Sequence, residues 1–159
     1  MSMSQIPSEL KSLAPYYHDI DLGNGFSTSP GNYRISNAVD LFFPSLLSMC
    51  GGSLQGKRVL DVACNCGGFS FAAAKYGAKE VVGIDARNIH VEQANKIKDY
   101  LNMDNVHFYE DKIEEITFDK YGLFDVCILA GIVYHLQDPI GVMNKISEVT
   151  SDIIMVDSH

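Results

Sequence analysis

The chain has 159 residues, a formal net charge of −8 and a hydrophobic fraction of 47%, and its mean hydropathy is +0.02. This length suits one globular domain with a single core. No apolar run approaches the roughly 20 residues that a membrane-spanning helix needs. Residues 1–13 lack the charged start and apolar stretch of a secretory signal, so we expect a cytoplasmic protein that does not enter a membrane.

The negative charge also bears on the partner. Proteins that bind nucleic acids commonly neutralise phosphates with a basic face, and the 12 Lys and Arg residues form no cluster of that kind in the sequence. The composition therefore argues against a nucleic-acid partner for this chain alone and favours a small-molecule substrate.

Residues 1–52 are expected to form an N-terminal arm followed by one helix. The dipeptide Asn24-Gly25 predicts the turn of a small hairpin. The aromatic residues of this arm suit two interpretations, an arm packed on the domain or a lid over a bound ligand. A helix is predicted from Ser36 to Met49, with a kink or a break at Pro44.

Residues 53–159 alternate between strand and helix patterns and form the predicted core of the domain. The strands are predicted at 57–62, 80–84, 106–109, 124–130 and 152–156, and the helices at 68–76, 88–101 and 139–149. This alternation predicts an α/β fold, a doubly wound, Rossmann-like parallel sheet with helices on both faces.

The stretch from Lys57 to Ser70, KRVLDVACNCGGFS, reads as a strand, a tight turn and the start of a helix. Such an arrangement lets a nucleotide-like ligand approach bare backbone at the carboxyl end of a strand. Asp61 would repel a pyrophosphate but could receive an ammonium group. The spacing also departs from G-x-G-x-x-G, because Ala63 and Asn65 stand where glycines would be expected.

The segment VLDVACNCG at 59–67 resembles motif I of the class I S-adenosylmethionine-dependent methyltransferases. VVGIDA at 81–86 resembles their second motif, and FDVCILAGIVYHLQDP at 124–139 resembles their fourth strand and the loop after it. The C-N-x-G turn, the Y-H-L tripeptide and an early Y-H-x-I-x-L-x-x-G segment are most similar to the tRNA wobble-uridine carboxymethyltransferase-like branch. The resemblance covers residues 16–159 and implies S-adenosylmethionine as the cofactor.

The resemblance implies cofactor contacts along the first turn. Asp61 would hold the methionine ammonium group, with a helix N-cap as the alternative role. Ala63, Asn65 and Gly67 would line the cofactor with backbone atoms. In the arm, Tyr17 and His18 are further candidates, and Arg34 would meet the methionine carboxylate unless it is a surface arginine.

Asp85 follows Asp61 by 24 residues and ends the second strand. A carboxylate at this place can accept hydrogen bonds from both hydroxyls of a ribose, which is why dinucleotide-binding folds use the same device. Asp85 therefore does not separate S-adenosylmethionine from NAD, and an NAD-dependent oxidoreductase remains a rival interpretation. Ala86 could pack on the adenine.

The resemblance places the adenine amino group on Asp111 and the ring nitrogens on backbone amides of Lys112 and Ile113. A solvated acidic turn residue is the alternative for Asp111, and Glu110 could fill the same role. Ala130 and Gly131 would leave space beside the reacting atoms.

Tyr134 and His135 follow the fourth strand and are the candidate catalytic residues. A histidine has the pKa range that general-base catalysis requires, and a structural hydrogen bond beneath the loop is the alternative for His135. Cys64 and Cys66 form a C-x-C pair without a second pair at zinc-ribbon spacing, so we expect reduced thiols and no metal site.

The family's full sheet has seven strands, and only five are predicted before the last residue, His159. The chain is then a truncated form, a natural minimal form, or a module whose exposed strand edge is covered by a second copy or a partner. The predicted function is methyl transfer to an O, N or C nucleophile of a small molecule. The alternatives are a tRNA wobble-uridine modifying enzyme and a non-catalytic cofactor-binding module completed by a partner.

Overall fold

The computed structural model describes residues 5–29 and 37–157. The strands are β1 (Asp21–Gly23), β2 (Phe26–Ser27), β3 (Arg58–Val62), β4 (Glu80–Asp85), β5 (Val106–Glu110), β6 (Phe124–Ala130) and β7 (Thr150–Asp157). The α-helices are α1 (Asn37–Met49), α2 (Gly68–Lys75), α3 (Asn88–Leu101), α4 (Phe118–Tyr121) and α5 (Pro139–Glu148). Short 3₁₀ helices span Ser8–Leu13, Ile113–Glu115 and Val133–His135.

Strands β3 to β7 form one parallel sheet in the order β5-β4-β3-β6-β7. The chain builds outward from β3 through β4 to β5, then returns to the other side of β3 to add β6 and β7. The strand order therefore reverses between β3 and β6, and in open α/β sheets ligands bind outside the carboxyl ends of the strands at such a point. The predicted Rossmann-like α/β fold is confirmed.

The sheet has a hydrophobic core on each face. Alternate residues of each strand point to opposite faces, so Val59 packs in the core that contains residues of α1, α2 and α3. Its neighbour Leu60 packs in the core that contains residues of α5. Both side chains are fully buried, and burial of each stabilises the fold by about 1.5–3 kcal/mol.

Helix α1 runs through Pro44, so the break that the sequence predicted there does not occur. Pro44 has no N–H to donate to the carbonyl four residues earlier. The apolar face of the helix keeps both halves in place, because Phe43 and Leu46 are buried in the core. Ser36, the predicted N-cap, lies outside the described residues.

The N-terminal arm, residues 5–29, is packed on the domain. Its hairpin β1–β2 turns at Asn24-Gly25, both at positive φ, as the sequence predicted. Leu10, Tyr16 and Ile20 are buried in the same core as helices α1 to α3. The arm is therefore packed on the domain, which both of its interpretations allow.

Two further observations concern the outside of the molecule. Strand β7 pairs with β6, and its other edge bonds to no strand among residues 5–29 and 37–157. In the same ranges, no helix combines the length and the apolar character needed to cross a membrane.

Candidate functional site

The turn between β3 and α2 is held in an unusual backbone conformation. Ala63, Asn65 and Gly67 have φ values of 58°, 52° and 87°, in the left-handed region that alanine adopts at a cost. The turn is fastened to β4, because the Cys64 N–H donates to the carbonyl of Ile84 at 3.0 Å. The left-handed residues and this hydrogen bond define the tight path of the turn at the carboxyl end of the sheet.

Asp61 is a buried carboxylate directly before the turn, 2% exposed. The hydroxyl of Ser70 in α2 donates to its Oδ2 at 2.6 Å. Burial raises the pKa of Asp61 to about 7; the Ser70 hydrogen bonds oppose the rise and the charge of Asp85 adds to it. Gly67 is the N-cap residue of α2, but Asp61 accepts hydrogen bonds from the side chain and the backbone of Ser70 in the first turn of that helix, so it also fulfils part of the capping role that the sequence gave as the alternative.

Asp85 ends β4 and is 5% exposed. Its Oδ2 accepts the N–H of Asn65 and its Oδ1 accepts the N–H of Arg87, each at 2.9 Å. Since each carboxylate oxygen has two lone pairs, one acceptor position on each oxygen remains for a ligand. His90 Nδ1 lies 3.2 Å from Oδ2 but lacks hydrogen-bond geometry and is buried without a partner.

Both carboxylates line one cavity of about 370 Å³ at the switch point of the sheet. This volume lies in the range of small-molecule sites. Ten of the residues that the sequence predicted line it: Tyr17, His18, Asp61, Ala63, Asn65, Asp85, Ala130, Gly131, Tyr134 and His135.

An adjoining hollow of about 300 Å³ shares Ala63, Asp85 and Ile132 with this cavity. Four more predicted residues line it: Ala86, Asp111, Lys112 and Ile113. The cavity and the hollow thus extend from the turn across the end of β4 toward the residues after β5.

Asp111 is not a solvated turn residue, since its side chain is 10% exposed. Its carboxylate accepts Lys120 Nζ at 2.6 Å and Tyr121 Oη at 2.7 Å, and the N–H of Lys112 at 3.0 Å. Burial favours the neutral acid, but these donors outweigh it and lower the pKa of Asp111. Three of about four acceptor positions are therefore in use, which leaves one for a ligand.

The other end of the cavity is open. Tyr134 is 52% exposed, and its ring centroid lies 4.3 Å from that of His135, which is also exposed. Both belong to a 3₁₀ turn after β6. Asp157, at the end of β7, lines the same end of the cavity.

The arm closes the cavity on the side of the glycine turn. His18 is 7% exposed, and its Nδ1 accepts the N–H of Gly68, the first residue of α2, at 3.1 Å. Gln93 of α3 donates to the carbonyls of Leu13 and Pro15 at 2.6 and 2.9 Å. The arm is therefore bonded to both helices that flank the cavity.

Among the described residues that the sequence predicted, Gly67 does not line the site. Gly67 lines neither hollow, and a Cβ there would meet the rings of Phe108 and Phe71 at 2.7 and 2.8 Å. Arg34 lies outside the described residues. The sequence prediction missed His90 and Asp157, although each is near a recognised position, His90 five residues after Asp85 and Asp157 at the end of the last strand.

The cysteines are buried in or near the turn as free thiols. Cys64 is 2% exposed and Cys66 is fully buried, and burial raises the pKa of the Cys66 thiol to about 11. Within residues 5–29 and 37–157, no group of His, Cys, Asp or Glu side chains has the arrangement of a metal site.

Residues 53–159 match the family model described as a methyltransferase domain. This match covers about two thirds of the chain and contains both carboxylates and the turn. The chain belongs to this methyltransferase family. The predicted methyltransferase class is confirmed.

This methyltransferase domain is similar in sequence to tRNA U34 carboxymethyltransferases. It is 36% identical over 87 residues to that of Colwellia psychrerythraea, which covers 55% of this chain and 26% of that enzyme. It is 27% identical over 113 residues to that of Helicobacter pylori, 66% of this chain and 43% of that enzyme. The chain thus spans less than half the length of these curated relatives.

Solved structures share the fold at low sequence identity. The N-terminal domain of EvdMO1 with S-adenosylhomocysteine (SAH) bound has a TM-score of 0.76 at 20% identity, covering 91% of this chain and 61% of that one. Magnesium protoporphyrin IX methyltransferase from Synechocystis with bound S-adenosylmethionine has a TM-score of 0.62 at 22% identity, covering 72% and 54%.

Proposed function

We propose that this chain binds S-adenosylmethionine in the cavity at the switch point and transfers its methyl group to a small-molecule acceptor. One observation carries the proposal: the buried carboxylates Asp61 and Asp85 line a single cavity at the carboxyl ends of adjacent strands. Asp61 suits an ammonium group, and Asp85 has two acceptor positions for the hydroxyls of a ribose.

The neighbouring residues fit the rest of the cofactor. The adjoining hollow has apolar walls at Ile113 and Ile132 and a carboxylate at Asp111, which suits a flat ring that carries an amino group. A phosphate-bearing ligand such as NAD fits less well, because the Asp61 carboxylate faces the cavity beside the turn and would repel a pyrophosphate.

When it is bound, S-adenosylmethionine supplies an activated methyl group, so the residues of the chain chiefly align the reactants and exclude water. Ala130 and Gly131 leave room between the cofactor end and the open end of the cavity. His135 would accept the proton of an acceptor that reacts as a hydroxyl or an ammonium group. Tyr134 would stack on or hydrogen-bond to that acceptor.

A small acceptor is consistent with the charge of −8, which disfavours polyanions. The N-terminal domain of EvdMO1 was also solved in the presence of SAH and D-fucose, which shows that a domain of this fold has been studied with a small hydroxylated molecule.

A second candidate is a tRNA wobble-uridine enzyme, and the identity of 36% to the Colwellia enzyme favours it. The acidic charge opposes it for this chain alone. The third interpretation, a non-catalytic cofactor-binding module, would keep the same cavity without turnover.

The proposal is tested by calorimetric titration of the purified chain with S-adenosylmethionine, SAH and NAD. We expect micromolar affinity for the first two and no heat with NAD. Asp85→Asn should lower the affinity for SAH at least tenfold, because an amide nitrogen cannot accept the hydrogen bond of a ribose hydroxyl.

Asp104→Asn is the matched control, since Asp104 is exposed on a loop and the substitution makes the same chemical change. Equal affinity of both variants for SAH would contradict the assignment of Asp85. Binding of NAD instead of SAH would replace the proposed function with the oxidoreductase interpretation.

A further inference from the structure

The ring of His18 is held in one tautomer by the turn it contacts. Its Nδ1 accepts the Gly68 N–H, and a ring nitrogen that accepts a backbone N–H carries no proton itself. The proton of the neutral ring is therefore on Nε2. Burial, with a further contribution from His90, lowers the pKa of His18 to about 4, so the ring stays neutral at physiological pH.

The contacts of His18 leave little freedom for the ring. Its backbone N–H donates to Cys66 Sγ at 3.3 Å, and the ring packs edge-on against Phe69, with 6.2 Å between the centroids. A Cβ at Gly68 would lie 2.6 Å from His18 Cγ, so the helix can approach the ring this closely only because residue 68 is glycine.

The remaining donor, Nε2–H, belongs to a residue that lines the cavity. This Nε2–H has no hydrogen-bond partner among the described residues. It remains accessible to solvent, unlike the buried unpartnered atoms Ser27 Oγ and His90 Nδ1. The ring therefore connects two hydrogen-bond donors in series. The Gly68 N–H at the N-terminus of α2 donates to Nδ1, and Nε2–H, on the other side of the ring, is a donor directed away from the helix. Each hydrogen bond in such a chain polarises the next, and the N-terminus of the eight-residue helix α2 favours negative charge.

We propose that His18 is a positioning residue for the cofactor, whose Nε2–H donates to the carboxylate of the amino-acid portion of S-adenosylmethionine. This inference rests on the proposed function. Asp61 and Asp85 repel an anionic group from their side of the cavity, so the ammonium group belongs beside them. The carboxylate then belongs on the arm side, where His18 lies.

The test compares two ligands that differ in one group, SAH and its decarboxylated analogue, which lacks only the carboxylate. The variant is His18→Asn, because an asparagine oxygen can replace Nδ1 as acceptor for the Gly68 N–H while the outer donor is lost. We expect the affinity for SAH to fall about tenfold and the affinity for the analogue to stay within about twofold. A purely structural role would weaken both ligands equally.

His107→Asn is the matched control, since His107 lies on β5 outside the cavity, with Nε2 3.9 Å from Glu80. Equal losses for both ligands in His18→Asn, or no loss for either, would overturn the inference. Failure of the unaltered chain to bind SAH would instead overturn the proposed function, and this inference with it.

A second measurement needs no variant. In the ¹⁵N-labelled chain, the Nε2–H proton signal of His18 should shift when SAH is added and become protected from exchange with water. The decarboxylated analogue should leave this signal within the range of the free protein. The same shift with both ligands would contradict a bond to the carboxylate.

Discussion

Asp61 shows at the scale of one residue how a binding site costs stability. Folding removes its carboxylate from water, and Ser70 provides a hydrogen bond from within the chain. The pKa of Asp61 therefore rises from 3.8 to about 7, and the folded chain binds a proton there that the unfolded chain releases. A cationic ligand would compensate for the buried charge, which is the physical reason to place an ammonium group at Asp61.

The first prediction concerns the stability of the unliganded chain as a function of pH. Because the pKa of Asp61 is raised by folding, its contribution is fully favourable below about pH 4 and is lost as the pH rises to about 7. The unaltered chain should lose on the order of 3–4 kcal/mol of unfolding free energy relative to Asp61→Asn over this window. Urea unfolding at a series of pH values measures the difference.

Asp104→Asn is the control, because Asp104 lies on an exposed loop. Its unfolding free energy should depend on pH in the same way as that of the unaltered chain. If the unfolding free energies of Asp61→Asn and of the unaltered chain changed in parallel between pH 4 and pH 8, the pKa of Asp61 would not be raised by folding. That result would remove the argument for an ammonium site.

The sequence could identify a cavity residue only where the position of its backbone is enough to place it at the cavity. Asp61 and Asp85 lie at strand ends, and the carboxyl ends of adjacent parallel strands meet at one edge of the sheet, so both were predicted correctly to line one cavity. His90 enters the cavity through the rotation of helix α3, and Gly67 turns toward Phe71 and Phe108. Neither follows from spacing along the chain.

At the scale of elements, the arm and helix α2 meet at one close contact. The backbone of Gly68 lies against the His18 ring, and the hydrogen bond between them joins an N-terminal segment to the turn 50 residues later. Gly68 does not have the positive φ of Gly67, so its backbone would accept another residue. The glycine is required by the ring and not by the conformation of the helix.

Gly68→Ala should therefore destabilise the chain by about 1–3 kcal/mol through overpacking. In the background of His18→Ala the same substitution should cost far less, because the ring is gone and alanine is the better helix former. Thermal or urea unfolding of the four proteins of this cycle gives the coupling energy. Equal costs of Gly68→Ala in the two backgrounds would mean that the ring and the helix do not constrain each other.

The sequence predicted the long elements and the β1–β2 hairpin, whose turn is marked by Asn24-Gly25, but not the short helical elements after residue 110. Strands such as β6 are continuous apolar runs, and helix α3 has an apolar face at helical spacing, so both patterns are visible without a structure. The 3₁₀ turn Val133–His135 and the four-residue helix α4 are too short to repeat a pattern. The first of these turns sets the direction of Tyr134 and His135, which the sequence could name but could not orient.

At the scale of the whole molecule, the net charge of the chain and its sequence similarity to known enzymes indicate different partners. The curated relatives act on tRNA by their names, whereas this chain carries 20 acidic residues against 12 Lys and Arg. Basic side chains in the described structure are also engaged within the protein: Arg58 bonds to Glu80, and Lys120 to Asp111. A surface of this kind repels a phosphate backbone at long range.

We therefore expect no appreciable tRNA binding by this chain alone. Filter binding in about 50 mM salt, where electrostatic attraction is strongest, should give a Kd no tighter than about 100 μM, at the weak end of non-specific nucleic-acid binding. The same preparation should bind SAH, which controls for folding. A Kd below about 1 μM that weakens steeply with added salt would show counterion release from a basic face. That result would favour the wobble-uridine interpretation over a small-molecule acceptor, since affinity of that kind requires a phosphate-binding surface.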